Sequence, residues 1–153
     1  MHIVLVEPEI PQNTGNIVRT CSLTNTVLHL VKPLGFSVED KYLKRAGLDY
    51  WHLVNINYYD SFKELIEKYP NGNFYYATTK GKNVYSSVNY TENTFIVFGK
   101  ETKGLPDDIL NENWDKTIKI PMKEDIKRSL NLANSVNIIL FEALRQLNFP
   151  NLE

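Results

Sequence analysis

The sequence is poor in cysteine, histidine and net charge, and each shortage excludes a class of site or partner. Cys21 is the only cysteine among 153 residues, which excludes an intrachain disulfide and the cysteine-rich zinc clusters of small domains. The three histidines stand far apart, at positions 2, 29 and 52, and their spacing suggests no metal site. The 17 basic and 18 acidic side chains give a net charge of −1. This excludes a highly basic DNA-coating protein but not nucleic-acid binding through a local basic patch.

Long apolar runs are also missing. None approaches the ~18–20 residues that span a bilayer, and the run at residues 3–6 is too short for the core of a secretion signal. We therefore expect a cytoplasmic protein without a membrane segment. Hydrophobic residues make up 42% and charged residues 23% of the chain, as in ordinary globular domains. The length predicts one domain over residues 1–153.

Familiar nucleotide-binding and nucleophile motifs are absent as well. No G-x-G-x-x-G follows the first apolar run, so the dinucleotide fingerprint is missing. Residues 99–104 have the glycine spacing of a P-loop, but Leu105 and Pro106 stand where lysine and a hydroxyl residue are required. No G-x-S-x-G elbow occurs. A nucleotide-like ligand would need another kind of site.

Short apolar runs alternate with segments of helical periodicity, which predicts an α/β fold with a mainly parallel sheet flanked by helices. Six or seven strands are expected, and six can be positioned: 3–6, 27–31, 53–58, 74–78, 94–98 and 117–120. Helices are predicted at 13–24, 37–46, 61–69, 106–110 and 129–147. Gly47 is the expected stop of the second helix, Ser61 and Glu64 form the expected capping box of the third, and Pro106 is the expected first residue of the fourth. Ser129 is the expected N-cap of the last helix.

Three segments carry polar residues in patterns that suggest chemistry. In residues 8–21, Asn16 and Arg19 are three apart and share a helix face, and an arginine can bind a phosphate with two hydrogen bonds. In residues 98–106, two glycines flank Glu101 directly after an apolar strand, where the missing side chains permit close backbone approach to a ligand.

The third segment, residues 120–137, has asparagines at 131, 134 and 137, three apart along the last helix. Taken singly, the three segments also fit a helix start, a tight turn and an exposed helix face.

Together these segments resemble the signature motifs of the SPOUT superfamily of RNA methyltransferases. The resemblance is closest to the small TrmL/YibK-like tRNA wobble-position 2′-O-methyltransferases. Residues 7–19 match E-P-x-I-P-x-N-T-G-N-x-x-R, residues 98–106 match F-G-x-E-x-x-G-L-P, and residues 120–136 match I-P-M…R-S-(L/M)-N-L-(A/S)-N-(A/S)-V. Residues 44–50 and 78–81 also look like family segments, so the resemblance covers nearly the whole chain in order.

The resemblance implies a fold with a deep trefoil knot in the C-terminal segment and a homodimer with its active site at the subunit boundary. It implies transfer of a methyl group from S-adenosylmethionine, without a metal, to the ribose 2′-OH of the wobble nucleotide in a tRNA anticodon loop. That nucleotide would be cytidine or modified uridine, in tRNA-Leu isoacceptors. The implied cofactor-binding residues are Ala77, Gly99, Ile120, Met122, Ser129 and Leu130.

Arg19 is implied as the catalytic residue, with Asn16 holding the geometry of the first motif. Two roles for Arg19 stay open, because a guanidinium normally remains protonated: it could be the base for the 2′-OH, or it could anchor a phosphate and stabilise the developing alkoxide. Glu101 is the other ionisable candidate near the site. Phe141 stands where the family carries tyrosine, which leaves any role of that hydroxyl open.

Binding of RNA by a nearly neutral chain requires a local concentration of positive charge. Basic residues in or beside the motif segments are Lys44, Arg45, Lys80, Lys82, Lys100, Lys103, Lys123, Lys127 and Arg128. Three other hypotheses remain open. The protein could methylate a different RNA 2′-OH, bind RNA without catalysis, or be an α/β enzyme that acts on a small molecule.

Overall fold

Seven strands form one sheet in the part of the chain that the computed structural model describes. That part is residues 1–37, 39–126 and 128–153, with the backbone alone at 47 and 48. The strand order is β3-β2-β1-β6-β4-β7-β5, and all pairings between these strands are parallel. The strands are β1 (His2–Val6), β2 (Val27–Val31), β3 (Ile56–Tyr59), β4 (Asn73–Ala77), β5 (Asn83–Val84), β6 (Thr94–Phe98) and β7 (Thr117–Lys119).

Helices cover both faces of this sheet. They are α1 (Pro11–Leu23), α2 (Lys41–Leu43), α3 (Asp49–Trp51), α4 (Phe62–Lys68), α5 (Asp107–Glu112) and α6 (Leu132–Gln146), with a π-helical turn at Lys44–Leu48 and a 3₁₀ turn at Trp114–Lys116. Because successive strand residues point to opposite faces, Ile3 and Leu5 pack with α1 and α6, whereas Val4 and Val6 pack with α4 and α5. The central strand β6 is buried along its whole length.

The predicted α/β fold with a mainly parallel sheet is confirmed, and the bounds of β2 and β6 agree with the prediction. The third strand was predicted to start at residue 53, but Leu53 is 62% exposed and the strand begins at Ile56. Strand β5 was not predicted, since two residues are too short to show any periodicity. The knot in the C-terminal segment stays a prediction.

The second helix differs from its prediction at both ends. It begins at Lys41, because the carboxylate of Asp40 accepts a hydrogen bond from the N–H of Tyr42 and caps the first turn. Val38, in the predicted first turn, lies outside the described residues. Gly47 does not end the helix, since α2 continues through the π-helical turn into α3.

Two further helix starts are also corrected. Helix α6 begins at Leu132 and is capped by Asn131, so the predicted cap Ser129 lies before it. Pro106 occupies the N-cap position of α5 instead of its first turn. The predicted N-terminal capping bond of α4 is confirmed, because the hydroxyl of Ser61 accepts from the N–H of Glu64 at 3.2 Å.

Candidate active site

A cavity of about 1010 Å³ opens where the adjacent strands β6, β4 and β7 end. Its walls come from residues 77–80 at the end of β4, 98–105 at the end of β6 and 118–124 at the end of β7, together with residues 128–132 at the start of α6. The carboxyl ends of parallel strands are the usual ligand-binding edge of an open α/β sheet. The volume is close to the upper end of the about 300–1,000 Å³ typical of small-molecule sites.

The six residues expected to bind the cofactor line this cavity: Ala77, Gly99, Ile120, Met122, Ser129 and Leu130. Gly99 is buried, whereas Ser129 and Leu130 are exposed at the mouth. Asn16 and Arg19 do not line the cavity; both lie on the exposed side of α1. The structure therefore brings together the expected cofactor residues and leaves the two expected catalytic residues outside this cavity.

The loop after β6 is tight because of two glycines that act differently. A Cβ at Gly99 would overlap the backbone of Gly104 and Leu105, so the missing side chain lets the loop close on itself. Gly104 has φ +69°, a region that favours glycine, and its N–H donates to the carbonyl of Lys100 at 2.8 Å. A Cβ at Gly104 would meet nothing within 4 Å, so this side of the loop is open.

Glu101 holds the start of α1. One carboxylate oxygen accepts from the N–H of Glu9 at 2.8 Å, and the other accepts from the N–H of Ile10 at 3.0 Å and from Nδ2 of Asn13 at 3.2 Å. Helix α1 has no side-chain cap of its own, so this carboxylate from a distant loop takes that place, where the helix dipole favours negative charge. Both oxygens are occupied by donors, which disfavours Glu101 as a general base.

Two asparagines extend this contact to the third motif segment. Nδ2 of Asn131 donates to Oδ1 of Asn13 at 2.8 Å, while Oδ1 of Asn131 accepts from the N–H groups of Ala133 and Asn134. The chain of bonds Glu101–Asn13–Asn131, which we call the motif network, thus joins segments 88 and 118 residues apart in sequence. It fixes the relative positions of three segments that border the cavity.

The asparagine series in the last helix therefore has partners. Besides the cap at Asn131, Oδ1 of Asn137 accepts from the hydroxyl of Thr20 at 2.8 Å and ties α6 to α1, whereas Asn134 is exposed.

Sequence reasoning missed Asn13 as a site residue. Its signal was available, because Asn13 is four and eight residues before the buried Ile17 and Cys21 and so puts an amide on the apolar stripe of α1.

The mouth of the cavity carries positive charge. Lys80, Lys103, Lys119 and Arg128 line it and form no ion pair among the described residues. Other basic residues of the sequence analysis have acidic partners, in the pairs Lys100–Glu7, Lys82–Asp115, Lys44–Glu39 and Lys123–Asp125. Lys127 lies outside the described residues.

Three observations concern chemistry other than this cavity. Burial raises the pKa of Cys21 to about 12, so its thiol is a buried apolar group and not a nucleophile. No three His, Cys, Asp or Glu side chains of the described residues come together as a metal site would require. The described helices include none with the length and apolar character needed to cross a bilayer.

Comparison with known proteins gives consistent matches over the whole chain. A protein of Bacillus subtilis strain 168, provisionally named tRNA (cytidine(34)-2′-O)-methyltransferase, is 53% identical, with 100% of this chain and 97% of the relative covered. The tRNA (cytidine(34)-2′-O)-methyltransferase of Escherichia coli strain K12 is 42% identical, covering 98% of this chain and 96% of the relative.

Solved structures agree. A structure described as giving insight into 2′-OH methylation of C/U34 on tRNA matches with a TM-score of 0.91 and 41% identity, covering 96% of this chain and 95% of that one. The fold of the methyltransferase AviRb from Streptomyces viridochromogenes, solved in complex with the cofactor AdoMet, matches with a TM-score of 0.83 at 23% identity, covering 97% and 60% of the two chains. A family model matches residues 1–141, and with the relatives above it shows that the chain belongs to the SpoU rRNA Methylase family, as its SPOUT motifs predicted.

Proposed function

We propose that residues 1–153 act as a single domain that transfers a methyl group from S-adenosylmethionine to the ribose 2′-OH of the wobble nucleotide of tRNA. The substrate is cytidine or modified uridine at that position, in tRNA-Leu isoacceptors in the cytoplasm. One observation carries the proposal: the motif network holds three distant signature segments around one cavity at the carboxyl edge of the sheet. The names of full-length relatives at 42–53% identity support the same activity.

The cavity suits the cofactor in size and in the kind of groups that line it. Ala77, Ile120 and Leu130 offer apolar walls, and the loops around Gly99 offer backbone N–H and C=O groups that can recognise adenine without charged side chains. On the open side of Gly104, a ligand has space to lie directly against the backbone. When bound, S-adenosylmethionine would supply the methyl group: the C–S bond of its sulfonium breaks as the O–C bond to the ribose forms, which leaves the neutral thioether S-adenosylhomocysteine, and the proton of the 2′-OH passes to solvent water. The chain orients the reactants and excludes water, which favours a reaction that neutralises charge.

Arg19 is the proposed anchor for the tRNA phosphate beside the target ribose. Its permanent positive charge stabilises the developing 2′-alkoxide, and Asn16, one helical turn before it, holds the first motif. Since Arg19 does not line the cavity of its own chain, the proposal includes a homodimer. In that dimer, Arg19 of one protomer faces the cavity of its partner.

The outer side of α1 and α6 supports this dimer. Leu23 is 64% exposed and Phe141 is 47% exposed, and Ile138 and Phe149 are exposed as well. A second cavity of about 600 Å³ lies between Leu23, Phe141 and Phe149. Exposed apolar side chains clustered on one face are typical of protein interfaces. Phe141, in place of the family's tyrosine, keeps the apolar part of that residue on this face.

The test is transfer of labelled methyl groups to tRNA-Leu transcripts with an unmodified wobble ribose, followed by mass spectrometry of nucleosides. We expect methylation at that ribose, and none when the wobble ribose is 2′-deoxy. Arg19→Ala should lower the single-turnover rate about 10²–10³-fold, as loss of a charge-assisted contact does, with unchanged calorimetric affinity for S-adenosylmethionine. Lys63→Ala, on the exposed side of α4, is the matched control.

Three outcomes would contradict parts of the proposal. Methylation of a different nucleotide would exclude the wobble position, and cofactor binding without transfer to any RNA would favour the non-catalytic module. Near-normal transfer by Arg19→Ala would exclude Arg19. Partial activity of Arg19→Lys supports a phosphate anchor, since lysine keeps the charge but not the planar pair of donors.

Mixed dimers test the shared site. Arg19→Ala protomers are combined with protomers carrying Ala77→Trp, which fills the cavity. If Arg19 serves the partner's cavity, mixed dimers regain activity, because one of their two sites is intact. If mixtures stay inactive, Arg19 serves its own chain.

A further inference from the structure

The guanidinium of Arg19 has an aromatic neighbour in place of an acidic one. Its Cζ lies 5.1 Å from the centroid of the Tyr50 ring, within the range of a cation–π contact. Among the described residues, Arg19 takes part in no ion pair. An exposed arginine on α1 is therefore held by the face of a ring from another helix.

A ring face acts on an arginine differently from a carboxylate. It attracts the cation but leaves its net charge in place, and the five N–H donors at the edge of the guanidinium remain available. Tyr50 is half-buried and packs against the core beneath α1 and α6, so its ring is a fixed support. The pair thus presents an oriented positive charge that no carboxylate neutralises.

The π-helical turn explains how Tyr50 reaches this position. Lys44–Leu48 forms this turn directly before α3, which carries Tyr50, and it packs against α1. A π turn has one more residue than an α turn, so the residues that follow it are rotated by about 100° relative to an uninterrupted α-helix. Such turns are rare in proteins, and those that do occur are often found at functional sites.

We propose that Tyr50 is a positioning residue for Arg19, which holds the guanidinium in one orientation for the negative charge of the RNA substrate without neutralising it. The inference rests on the proposed function, in which Arg19 contacts that charge. Tyr50 itself touches neither the cofactor nor the reacting atoms. Removal of the Tyr50 ring should lower the rate of methyl transfer and leave the affinity for S-adenosylmethionine unchanged.

The first experiment measures single-turnover methyl transfer for three variants. Tyr50→Leu removes the ring and should lower the rate about tenfold, as loss of a partly desolvated cation–π contact would. Tyr50→Phe keeps the ring and should stay within about twofold of the parent, since the hydroxyl is not needed. Tyr42→Leu is the matched control, because that exposed ring carries an equivalent contact with Lys41 at 5.1 Å. It should leave the rate unchanged.

The second experiment observes the contact without activity. The ring should shift the Nε–H proton of Arg19 upfield in NMR spectra of the parent protein and of Tyr50→Phe, and this shift should disappear in Tyr50→Leu. Arg19→Lys assigns the signal by removing it. If Tyr50→Leu does not fold, Tyr50→Met replaces the ring with a flexible apolar side chain of similar length.

The outcomes separate this inference from the function on which it rests. An unshifted Arg19 signal in the parent overturns the contact. A lost shift with an unchanged rate overturns the positioning role, and so does a Tyr50→Phe variant as slow as Tyr50→Leu. A shifted signal in a protein that methylates no RNA overturns the proposed function and, with it, the positioning role.

Discussion

Two hydrogen-bonded groups of polar side chains in this chain differ in what surrounds them. The motif network of Glu101, Asn13 and Asn131 lies among loops at the carboxyl edge of the sheet and borders a cavity. The second group, which we call the histidine chain, runs from His2 through His29 to Tyr59 and links three adjacent strands.

The histidine chain is built as part of the core. His29 is fully buried, its ring nitrogens lie 3.0 Å from Nδ1 of His2 and from the hydroxyl of Tyr59, and the ring of His2 stacks on Phe95 at 4.0 Å. Burial lowers the pKa of His2 to about 4 and that of His29 to about 3. Both rings therefore stay neutral at physiological pH.

The motif network instead contains a carboxylate whose oxygens accept from backbone and side-chain donors at a helix start. It joins segments that the sequence separates widely, while the histidine chain joins neighbouring strands. The comparison indicates that polar groups at the cavity edge set the shape of a site, whereas those inside the sheet secure strands that are already paired.

The largest expected effect is at the tight loop next to the motif network. Gly99→Ala puts a Cβ into the backbone of Gly104 and Leu105, so the loop must open, at a cost of about 3 kcal/mol of the free energy of unfolding. Calorimetry should then detect little or no binding of S-adenosylmethionine. Urea unfolding measures the stability change.

Gly104→Ala is the matched control in the same loop. There is space for its Cβ, so only the positive φ opposes it, which costs about 1 kcal/mol. Equal destabilisation by the two variants would contradict the assigned close contact at Gly99.

A smaller effect is expected at the carboxylate of the motif network. Glu101→Gln replaces one acceptor by an NH₂ group, which cannot accept from the N–H of Glu9 or Ile10 that then faces it. The loss of a charged acceptor should reduce the free energy of unfolding by about 2 kcal/mol and weaken cofactor binding. Glu124→Gln, an exposed residue of the cavity lining, is the control. If methyl transfer disappeared while stability and cofactor affinity stayed normal, Glu101 would have a direct chemical role.

The effect that is smallest at neutral pH concerns the histidine chain, and it grows as the pH falls. In the unfolded chain His29 takes up a proton below its ordinary pKa of 6.5, whereas the buried ring stays neutral until about pH 3. The unfolded state therefore binds more protons as pH falls below 6.5. Stability should decrease by up to about 1.4 kcal/mol per pH unit from this residue.

His29→Gln keeps a polar side chain but cannot titrate, so it should make the decline in stability between pH 6.5 and 4 less steep. His2, whose pKa is also lowered, causes part of the slope that remains. The exposed His52, substituted in the same way, should leave the slope unchanged. A His29→Gln slope equal to that of the parent protein would show that other groups cause the acid instability.

Several parts of the fold were readable from local sequence. The runs of β2 and β6 gave the right strand bounds because both strands are buried on two faces and are almost entirely apolar. The one histidine inside β2, His29, is buried with its neighbours and does not interrupt the strand. The cap at Ser61 could be predicted because its bond to Glu64 spans a single turn. The start of α6 could not, since Asn131 caps that helix while it also bonds to Asn13 across the fold.

By itself, the sequence determined the α/β class, the family and six of the residues that line the cavity, since these depend on periodicity and on multi-residue motifs in order. Only the tertiary structure decided how those residues act. It showed that Glu101 is occupied as a helix cap, that Gly99 closes a loop, and that Arg19 lies outside the cavity against Tyr50. These roles depend on contacts between segments far apart in the chain, and only the folded chain establishes such contacts.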